Sequence, residues 1–199
     1  FRKEINSVED LNGLKMRIPG IAGEVFNRAG GTAVNIAGGD LYTSLKTGVI
    51  DATEWVGPYN DLAFGLHKVA KYYYYSPWHE PGPTLECMIN KEAFAALPEH
   101  LQVCVRTACR VANEQMLAEY TSRNNAALEK LVDEHGVTLK AFPKPVTDAL
   151  RSTSAEVLKE VAAHDELSAR IYESYRAFRK QAAAYHKISE QEYLNTRDG

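Results

Sequence analysis

The residues best suited to chemistry are a carboxylate and an indole that follow a short apolar run. Glu54 and Trp55 come after the largely apolar residues 49–52 and shortly before Gly57-Pro58. A carboxylate beside an indole is poorly solvated, so its charge requires a cation, a protonated partner or a strong hydrogen-bond donor. Gly57-Pro58 ends the predicted strand, which leaves both side chains at an open strand end, where α/β proteins bind ligands. We interpret Glu54 and Trp55 as part of a binding site.

A second indole and a second carboxylate lie in a loop rich in proline. The segment 76–82 reads Ser-Pro-Trp-His-Glu-Pro-Gly, which predicts an ordered loop that presents Trp78 and Glu80. Taken alone, Glu80 is best interpreted as a loop glutamate with its hydrogen bonds satisfied. The presence of Glu54 makes Glu80 a candidate member of the same site, whereas His79 is interpreted as a loop histidine.

Arg17 stands at the end of a predicted strand, Leu14–Ile18, just before Pro19-Gly20. The planar fork of its guanidinium suits a carboxylate, because it can donate two parallel hydrogen bonds. The alternative is a surface arginine whose stem packs on the strand, and spacing alone favours this alternative.

The elements that must position these residues follow a βαβαβ order. The pattern predicts a helix over Gly20–Arg28, a strand over Ala33–Ile36, a helix over Leu41–Lys46 and a strand that leads into Glu54. This order predicts a mostly parallel sheet with right-handed connections. The glycine pairs match neither fingerprint of a phosphate-binding loop, so we assign them to helix ends and turns.

The remainder of the chain is predicted to be mainly helical. Patterning predicts a helix over Asp61–Lys68, strands over Val69–Tyr75, Thr84–Ile89 and Val137–Phe142, and helices over 91–96, 98–136, Val146–His164 and Asp165–Lys187. The last helix carries an apolar face that needs a partner: Leu167, Ile171, Tyr175, Phe178 and Tyr185. The three cysteines, Cys87, Cys104 and Cys109, have no metal-type spacing and are predicted to be buried free thiols.

Composition excludes several classes of protein. The chain has 199 residues, 45% of them apolar, and a formal net charge of -3, which together are typical of a globular protein. The charge argues against a nucleic-acid surface, and no apolar run approaches the length of a membrane span. The first residues form neither a signal peptide nor a natural start, so we expect a truncated chain.

Four phrases in the chain resemble, in the same order, the periplasmic solute-binding receptors of TRAP transporters. The resemblance is strongest to the branch that binds 2-oxo or 2-hydroxy monocarboxylates, such as pyruvate or lactate, together with a metal ion. It extends over essentially the whole chain but corresponds to roughly the C-terminal three-fifths of such a receptor. The phrases cover residues 13–20, 48–60, 78–82 and 90–94.

The resemblance implies a role for each matching residue. Arg17 would bind the substrate carboxylate, and Trp55 and Asn60 would also contact the substrate. The carboxylates of Glu54 and Glu80 and the main-chain carbonyl of Trp55 would hold a calcium or sodium ion. No residue is assigned a catalytic role.

The resemblance also implies an architecture. We expect an α/β fold like that of periplasmic binding proteins, with two lobes, mostly parallel sheets and a long spanning helix, and with the N-terminal part missing. Residues 1–56 would belong to the second lobe, 57–97 would cross between lobes, 98–136 would form the spanning helix, and 137–199 would add a strand and the C-terminal helices.

Three function classes follow from these observations. The favoured one is a periplasmic receptor, not an enzyme, that delivers a small acid to the membrane subunits of a TRAP transporter. The resemblance implies a homodimer through the C-terminal helix, and the alternative for this helix is that it docks on its own chain. The alternative is a metal-dependent enzyme acting on a small carboxylic acid, in which Glu54, Glu80 and His79 supply acid and base groups. A helical interaction module is the third class, and the strand-rich first half counts against it.

Overall fold

The chain divides into two compact units, Phe1–Arg151 and Ser152–Gly199. The computed structural model describes residues 1–75 and 78–197. None of the helices within these described ranges is both long and apolar enough to cross a membrane.

The first unit begins with a three-stranded parallel sheet. Strand β1 (Lys15–Arg17) is central and pairs in parallel with β2 (Thr32–Val34) on one side and with β3 (Ala52–Thr53) on the other. Helix α1 (Gly20–Arg28) connects β1 to β2, and α2 (Leu41–Thr47) connects β2 to β3. The predicted βαβαβ order and parallel sheet are confirmed. Because the chain runs from β1 to β2 at one edge and then returns past β1 to β3 at the other edge, the carboxyl ends of β1 and β3 border a crevice.

The core beneath this crevice is built from side chains of α2 and the segments that flank it. Leu41, Leu45 and Ile50 are fully buried and pack with Leu66, and Trp55 lies against the same cluster. Each such aliphatic side chain contributes roughly 1.5–3 kcal/mol by leaving water. This packing fixes the end of β3, and with it the backbone that carries Glu54.

The chain then forms a second, two-stranded parallel sheet. Helix α3 (Pro58–Ala63) is followed by a 3-10 turn and by strand β4 (Tyr72–Tyr75). The single helix predicted over Asp61–Lys68 is therefore wrong, because Gly65 adopts φ of +68° and ends α3. After α4 (Lys91–Ala95) and the 35-residue α5 (Glu99–Asp133), strand β5 (Thr138–Ala141) pairs in parallel with β4.

The long helix α5 packs against α3. The side-chain oxygen of Asn124 accepts a hydrogen bond from the backbone N–H of Tyr59 at 2.9 Å. The ring of Tyr120 meets the ring of Tyr59 edge to face at 5.8 Å between centroids. The helix predicted over 98–136 is thus present, and it orients the first turn of α3, next to the site.

Three further helices complete the chain. They are α6 (Lys144–Ala162), α7 (Glu166–Ile188) and α8 (Glu190–Arg197), and the boundary between the two units falls within α6. Asp165 caps α7, since its carboxylate accepts a hydrogen bond from the N–H of Ser168 at 2.7 Å.

Two further predictions are wrong. Residues Thr84–Ile89 form no strand and are exposed, because a strand requires a neighbouring strand and neither sheet of the described residues includes this segment. The cysteines are not all buried: Cys87 and Cys104 are exposed, and Cys109 is half-buried.

Candidate functional site

Arg17 and Glu54 meet at the carboxyl ends of two neighbouring strands. Parallel pairing places Arg17 opposite Thr53, and the N–H of Glu54 donates to the carbonyl of Arg17 at 3.3 Å. Their side chains form an ion pair, and both are largely buried, with 14% and 17% of their side-chain surfaces exposed. The pairing of β1 with β3, which ends at Thr53, therefore brings a cation to Glu54.

Two more contacts fix the guanidinium of Arg17. Its Nε donates to the carbonyl oxygen of Ile36 at 3.2 Å, and its Cζ lies 5.3 Å from the ring centroid of Trp55. A guanidinium at this distance from an indole face is attracted by the ring. Arg17 is thus held by three neighbours, in contrast to the surface arginine packed on the strand by its stem that spacing alone favoured.

The environment of Glu54 favours a cation. Burial raises the pKa of the Glu54 carboxyl, the charge of Arg17 opposes this rise, and the charge of Glu80 adds to it. A buried carboxylate near a second carboxylate is destabilised in its charged form, and a bound cation would relieve both effects.

Glu54, His79 and Glu80 form a cluster with metal-ligand character. One ligand atom from each lies within 4.8 Å of the others, and Nε2 of His79 is 4.0 Å from Oε2 of Glu80. Burial lowers the pKa of His79, while Glu80 opposes that decrease. Two carboxylates suit a hard cation such as calcium or sodium. Trp55, whose main-chain carbonyl is the third ligand implied by the resemblance, is the residue directly after Glu54. The residues present therefore fit such an ion.

The sequence grouped His79 with Glu54 and Glu80 only in the enzyme alternative and otherwise left it as a loop histidine. The structure places it in the cluster, although imidazole nitrogen is not a preferred ligand of hard cations. In the structure the His79 ring also packs on Trp78, with centroids 4.6 Å apart. Ser76 and Pro77, which begin the predicted loop 76–82, lie outside the described residues.

Trp55 forms part of the wall of the site. Its ring packs on Phe64 at 5.2 Å between centroids, and Gly38 approaches it so closely that an added Cβ would lie 2.4 Å from the indole. The sequence assigned Gly38 only to a helix end, so its role beside Trp55 was missed. Within the described residues, the indole Nε1 is buried without a hydrogen-bond partner.

A cavity of about 570 Å³ within the first unit is bordered by the cluster of Glu54, His79 and Glu80 and by aromatic side chains. Its walls include Glu54, Trp55, Tyr73, Trp78, His79 and Glu80. A cavity of this size with a few polar groups among aromatic rings is typical of small-molecule sites.

Asn60 does not belong to the described lining of this cavity. It lies in the first turn of α3, and its side-chain oxygen is buried without a hydrogen-bond partner among the described residues. The structure thus brings together Arg17, Glu54, Trp55 and Glu80, whereas the described cavity wall includes neither Arg17 nor Asn60. The substrate contact of Asn60 stays a prediction.

Asp61 is a buried carboxyl group in the wall that sequence reasoning missed. It is only 7% exposed, and the hydroxyl of Tyr73 donates to its Oδ2 at 2.5 Å. Burial raises the pKa of Asp61 to about 6, and burial together with Asp61 raises the pKa of Tyr73 as well. An aspartate in the first turn of a helix is usually solvated, so local sequence gave no signal of this burial.

A small cavity of about 50 Å³ lies beside Asp61. Trp55, Asp61 and His67 all line it, and each carries a buried polar atom without a hydrogen-bond partner in the described chain. The ring of His67 stacks on that of His135 at 4.2 Å between centroids. Burial lowers the pKa of His67, as expected for an imidazole whose charged form has no acceptor.

Comparison with known proteins gives closely related sequences and folds. A monocarboxylate 2-oxoacid-binding periplasmic protein of a Nostoc species is 43% identical over 195 residues, which are 98% of this chain and 53% of that protein.

Two solved structures share the fold over the same extent. A TRAP periplasmic solute-binding protein of Pseudoalteromonas atlantica, solved with bound sodium and pyruvate, is 44% identical with a TM-score of 0.93, covering 98% of this chain and 60% of that chain. A TRAP transporter solute-binding protein of Bordetella bronchiseptica is 39% identical with a TM-score of 0.93, and the match covers 98% of this chain and 58% of that chain. It was solved as a mixed-occupancy dimer with copurified calcium and picolinate at one active site and the other in the apo form.

The chain therefore spans between about half and three-fifths of the length of these relatives. The sequence profile of one family, DctP, described as bacterial extracellular solute-binding protein family 7, matches residues 1–165. Together with the parallel sheets and the ion-paired strand ends, this match shows that the chain belongs to the DctP family of bacterial extracellular solute-binding proteins.

Proposed function

We propose that this chain supplies the anion- and cation-binding part of a TRAP receptor that captures a small 2-oxo or 2-hydroxy monocarboxylate together with a calcium or sodium ion. The observation that carries the proposal is that Glu54, the ion-pair partner of Arg17, lies close to a second carboxylate, Glu80, and that both carboxylates line one cavity. Pyruvate and lactate are the model substrates.

The chemistry of such an acid matches this arrangement. Its carboxylate would pair with the guanidinium of Arg17, which is already oriented by Ile36 and Trp55. One carboxylate oxygen and the neighbouring keto or hydroxyl oxygen would reach the metal. Glu54 and Glu80 would balance the charge that the monoanion leaves on a divalent ion.

The aromatic surface of the cavity would cover the rest of the substrate. Trp55 lies against the hydrophobic cluster and presents its ring to the cavity. A short alkyl or a planar ring would therefore contact apolar surface, and this agrees with pyruvate and picolinate as ligands of the two solved relatives.

Location and partners follow from the family. We infer a periplasmic receptor that delivers its acid to the membrane subunits of a TRAP transporter. We also infer a homodimer through α7, because its apolar face is exposed: Leu167 60%, Ile171 61%, Tyr175 57%, Phe178 70% and Tyr185 66%. The dimer in the Bordetella structure supports this assembly.

An alternative is a metal-dependent enzyme, and one observation favours it. His79 lies beside Glu80 and Glu54, and burial lowers its pKa, so a neutral imidazole is available as a base. We favour a receptor because the relatives with this fold are binding proteins, which require no turnover.

One experiment separates these functions. Calcium-loaded full-length protein is incubated with pyruvate or lactate, and binding is followed by calorimetry while the solution is analysed for products. A receptor gives saturable binding with the acid recovered unchanged. Conversion of the acid, abolished by E80Q, would favour the enzyme instead.

A further inference from the structure

The segment 36–38, between β2 and α2, contacts two side chains of the proposed site. The carbonyl oxygen of Ile36 accepts a hydrogen bond from Nε of Arg17 at 3.2 Å. Gly38 lies against the far edge of Trp55: a Cβ added to Gly38 would be 2.4 Å from Cη2 and 3.0 Å from Cζ2 of the indole. One short connection therefore borders both the group proposed to bind the carboxylate and the group proposed to cover the tail of the acid.

The backbone conformation of Gly38 does not explain why this position is a glycine. Gly38 begins a 3-10 turn, and its φ lies outside the left-handed region, so an alanine could adopt the same backbone without strain. The same is true of its neighbour Gly39, where an added Cβ would meet no atom within 4 Å. Of these two adjacent glycines, Gly38 alone is constrained by its surroundings, and the constraint is the indole of Trp55.

The backbone at Gly38 is fixed by the core. The 3-10 turn Gly38–Asp40 runs directly into α2, whose Leu41 and Leu45 are fully buried in the hydrophobic cluster. A retreat of the backbone at residue 38 would disturb the packing of these side chains, which is costly in a close-packed core. A larger residue at position 38 must therefore be accommodated by movement of Trp55.

The indole of Trp55 has both packed neighbours and open space around it. Its ring packs on Phe64 at 5.2 Å between centroids, and the guanidinium of Arg17 lies 5.3 Å from its centroid. Trp55 also borders the cavity of about 570 Å³ and the small cavity of about 50 Å³. The first cavity offers far more room, so an indole displaced from Gly38 moves into the space proposed for the acid.

We propose that Gly38 is a specificity-determining residue, because it sets how far the indole of Trp55 projects into the cavity and thus how long a tail the bound acid can carry. The inference rests on the proposed function, since it takes this cavity as the site of the acid. Gly38 acts through Trp55 and is therefore a positioning residue. With glycine at position 38 the ring lies back against the turn, whereas a side chain there would advance the ring and favour the shortest acid.

The test compares the wild type with G38A and with a matched control, G39A. Full-length, calcium-loaded proteins are titrated by calorimetry with pyruvate and with 2-oxobutyrate, which carries one more methylene. G38A should lose about tenfold more affinity for 2-oxobutyrate than for pyruvate, because one methylene in an apolar pocket is worth about 10- to 200-fold. G39A adds the same methyl group in open space and should bind both acids as the wild type does.

A double-mutant cycle shows whether the effect passes through the indole. W55F lacks the far edge of the ring that meets Gly38, so adding G38A to W55F should leave the ratio of the two affinities unchanged. Urea unfolding of the same four proteins measures the contact without any ligand. G38A should lower the unfolding midpoint in the wild type and not in W55F, and this comparison holds even where G38A alone is poorly folded.

Equal losses of affinity for the two acids in G38A, or a relative gain for 2-oxobutyrate, would overturn the proposal. The same change in G39A, or an effect of G38A that persists in W55F, would also overturn it, because the contact with the indole would then not be the cause. A wild type that binds neither acid contradicts the receptor itself, whereas binding with an unchanged ratio in G38A contradicts only the role of Gly38.

Discussion

The two carboxylates of the candidate metal site differ in how the fold holds them. Glu54 lies at a strand end, 17% exposed, with Arg17 as its ion-pair partner. Glu80 lies in a loop, its side chain is half exposed, and its neighbour within 4.0 Å is His79. The difference indicates that the sheet supplies a preorganised half of the site and the loop supplies an adaptable half.

Preorganisation has a thermodynamic consequence. A ligand that meets groups already fixed by other contacts loses little free energy in ordering them, whereas an exposed loop carboxylate must first be immobilised. We therefore expect substitutions in the strand-end half, Arg17 and Glu54, to weaken binding more than the matched substitution of Glu80.

The largest effect is expected from R17K. Lysine keeps the charge but cannot reproduce the planar fork, so pyruvate affinity should fall about a hundredfold. Calorimetry with full-length protein measures this, and circular dichroism monitors folding. K15R, on the same strand but exposed, serves as a matched control. Unchanged affinity would leave Arg17 as a packed structural residue.

The second prediction compares E54Q with E80Q. Both changes keep size and remove one charge, so each should weaken calcium binding, by about a hundredfold for the buried Glu54 and about tenfold for the exposed Glu80. Calcium titration with an indicator dye measures both variants. A larger loss of calcium affinity in E80Q than in E54Q would contradict the view that the strand end is the preorganised half of the site.

The third prediction concerns Asp61 and pH. Its folded pKa of about 6 lies above the ordinary value of 3.8, so the folded state binds this proton more tightly than the unfolded state does. The stabilisation from Asp61 is therefore complete below the unfolded pKa of 3.8 and is lost as pH rises through 6, by on the order of 3 kcal/mol. Urea unfolding at pH 4, 5, 6 and 7 should show this dependence in the wild type and not in D61N. Parallel pH curves for the two proteins would contradict it.

The smallest effect on stability is expected from His67, and its pH dependence has the opposite sign to that of Asp61. Burial lowers its folded pKa, so the unfolded chain binds the proton more tightly and His67 destabilises the fold as pH falls below about 6.5. H67L should reduce this loss of stability, because neither ring nitrogen has a hydrogen-bond partner among the described residues. Comparison of thermal melting at pH 5 and pH 8 tests this, and a wild-type loss that persists in H67L would exclude His67 as its source.

Much of the strand-end half could be predicted from local sequence. Glycine and proline marked the ends of α1 and β3, and period-two alternation marked β1, so parallel pairing placed Arg17 beside Glu54. These signals are local, since each depends on the backbone preferences of a few neighbouring residues.

The parts that sequence reasoning missed depend on contacts between distant residues. Asp61 is buried because Tyr73 donates to it, and Gly38 matters because Trp55 packs against it. The apolar character of 84–89 predicted a strand, but strand formation also requires a partner edge that local patterning cannot reveal.

The central claim is that acid and metal bind as one unit between Arg17 and the two carboxylates. The measurement is a calorimetric titration of pyruvate into full-length protein, once with saturating calcium and once with a chelator. Because each ligand completes the site for the other, calcium should tighten pyruvate binding by about 5- to 150-fold, and pyruvate should tighten calcium binding by the same factor. Equal pyruvate affinities in the two conditions would contradict a metal-bridged site.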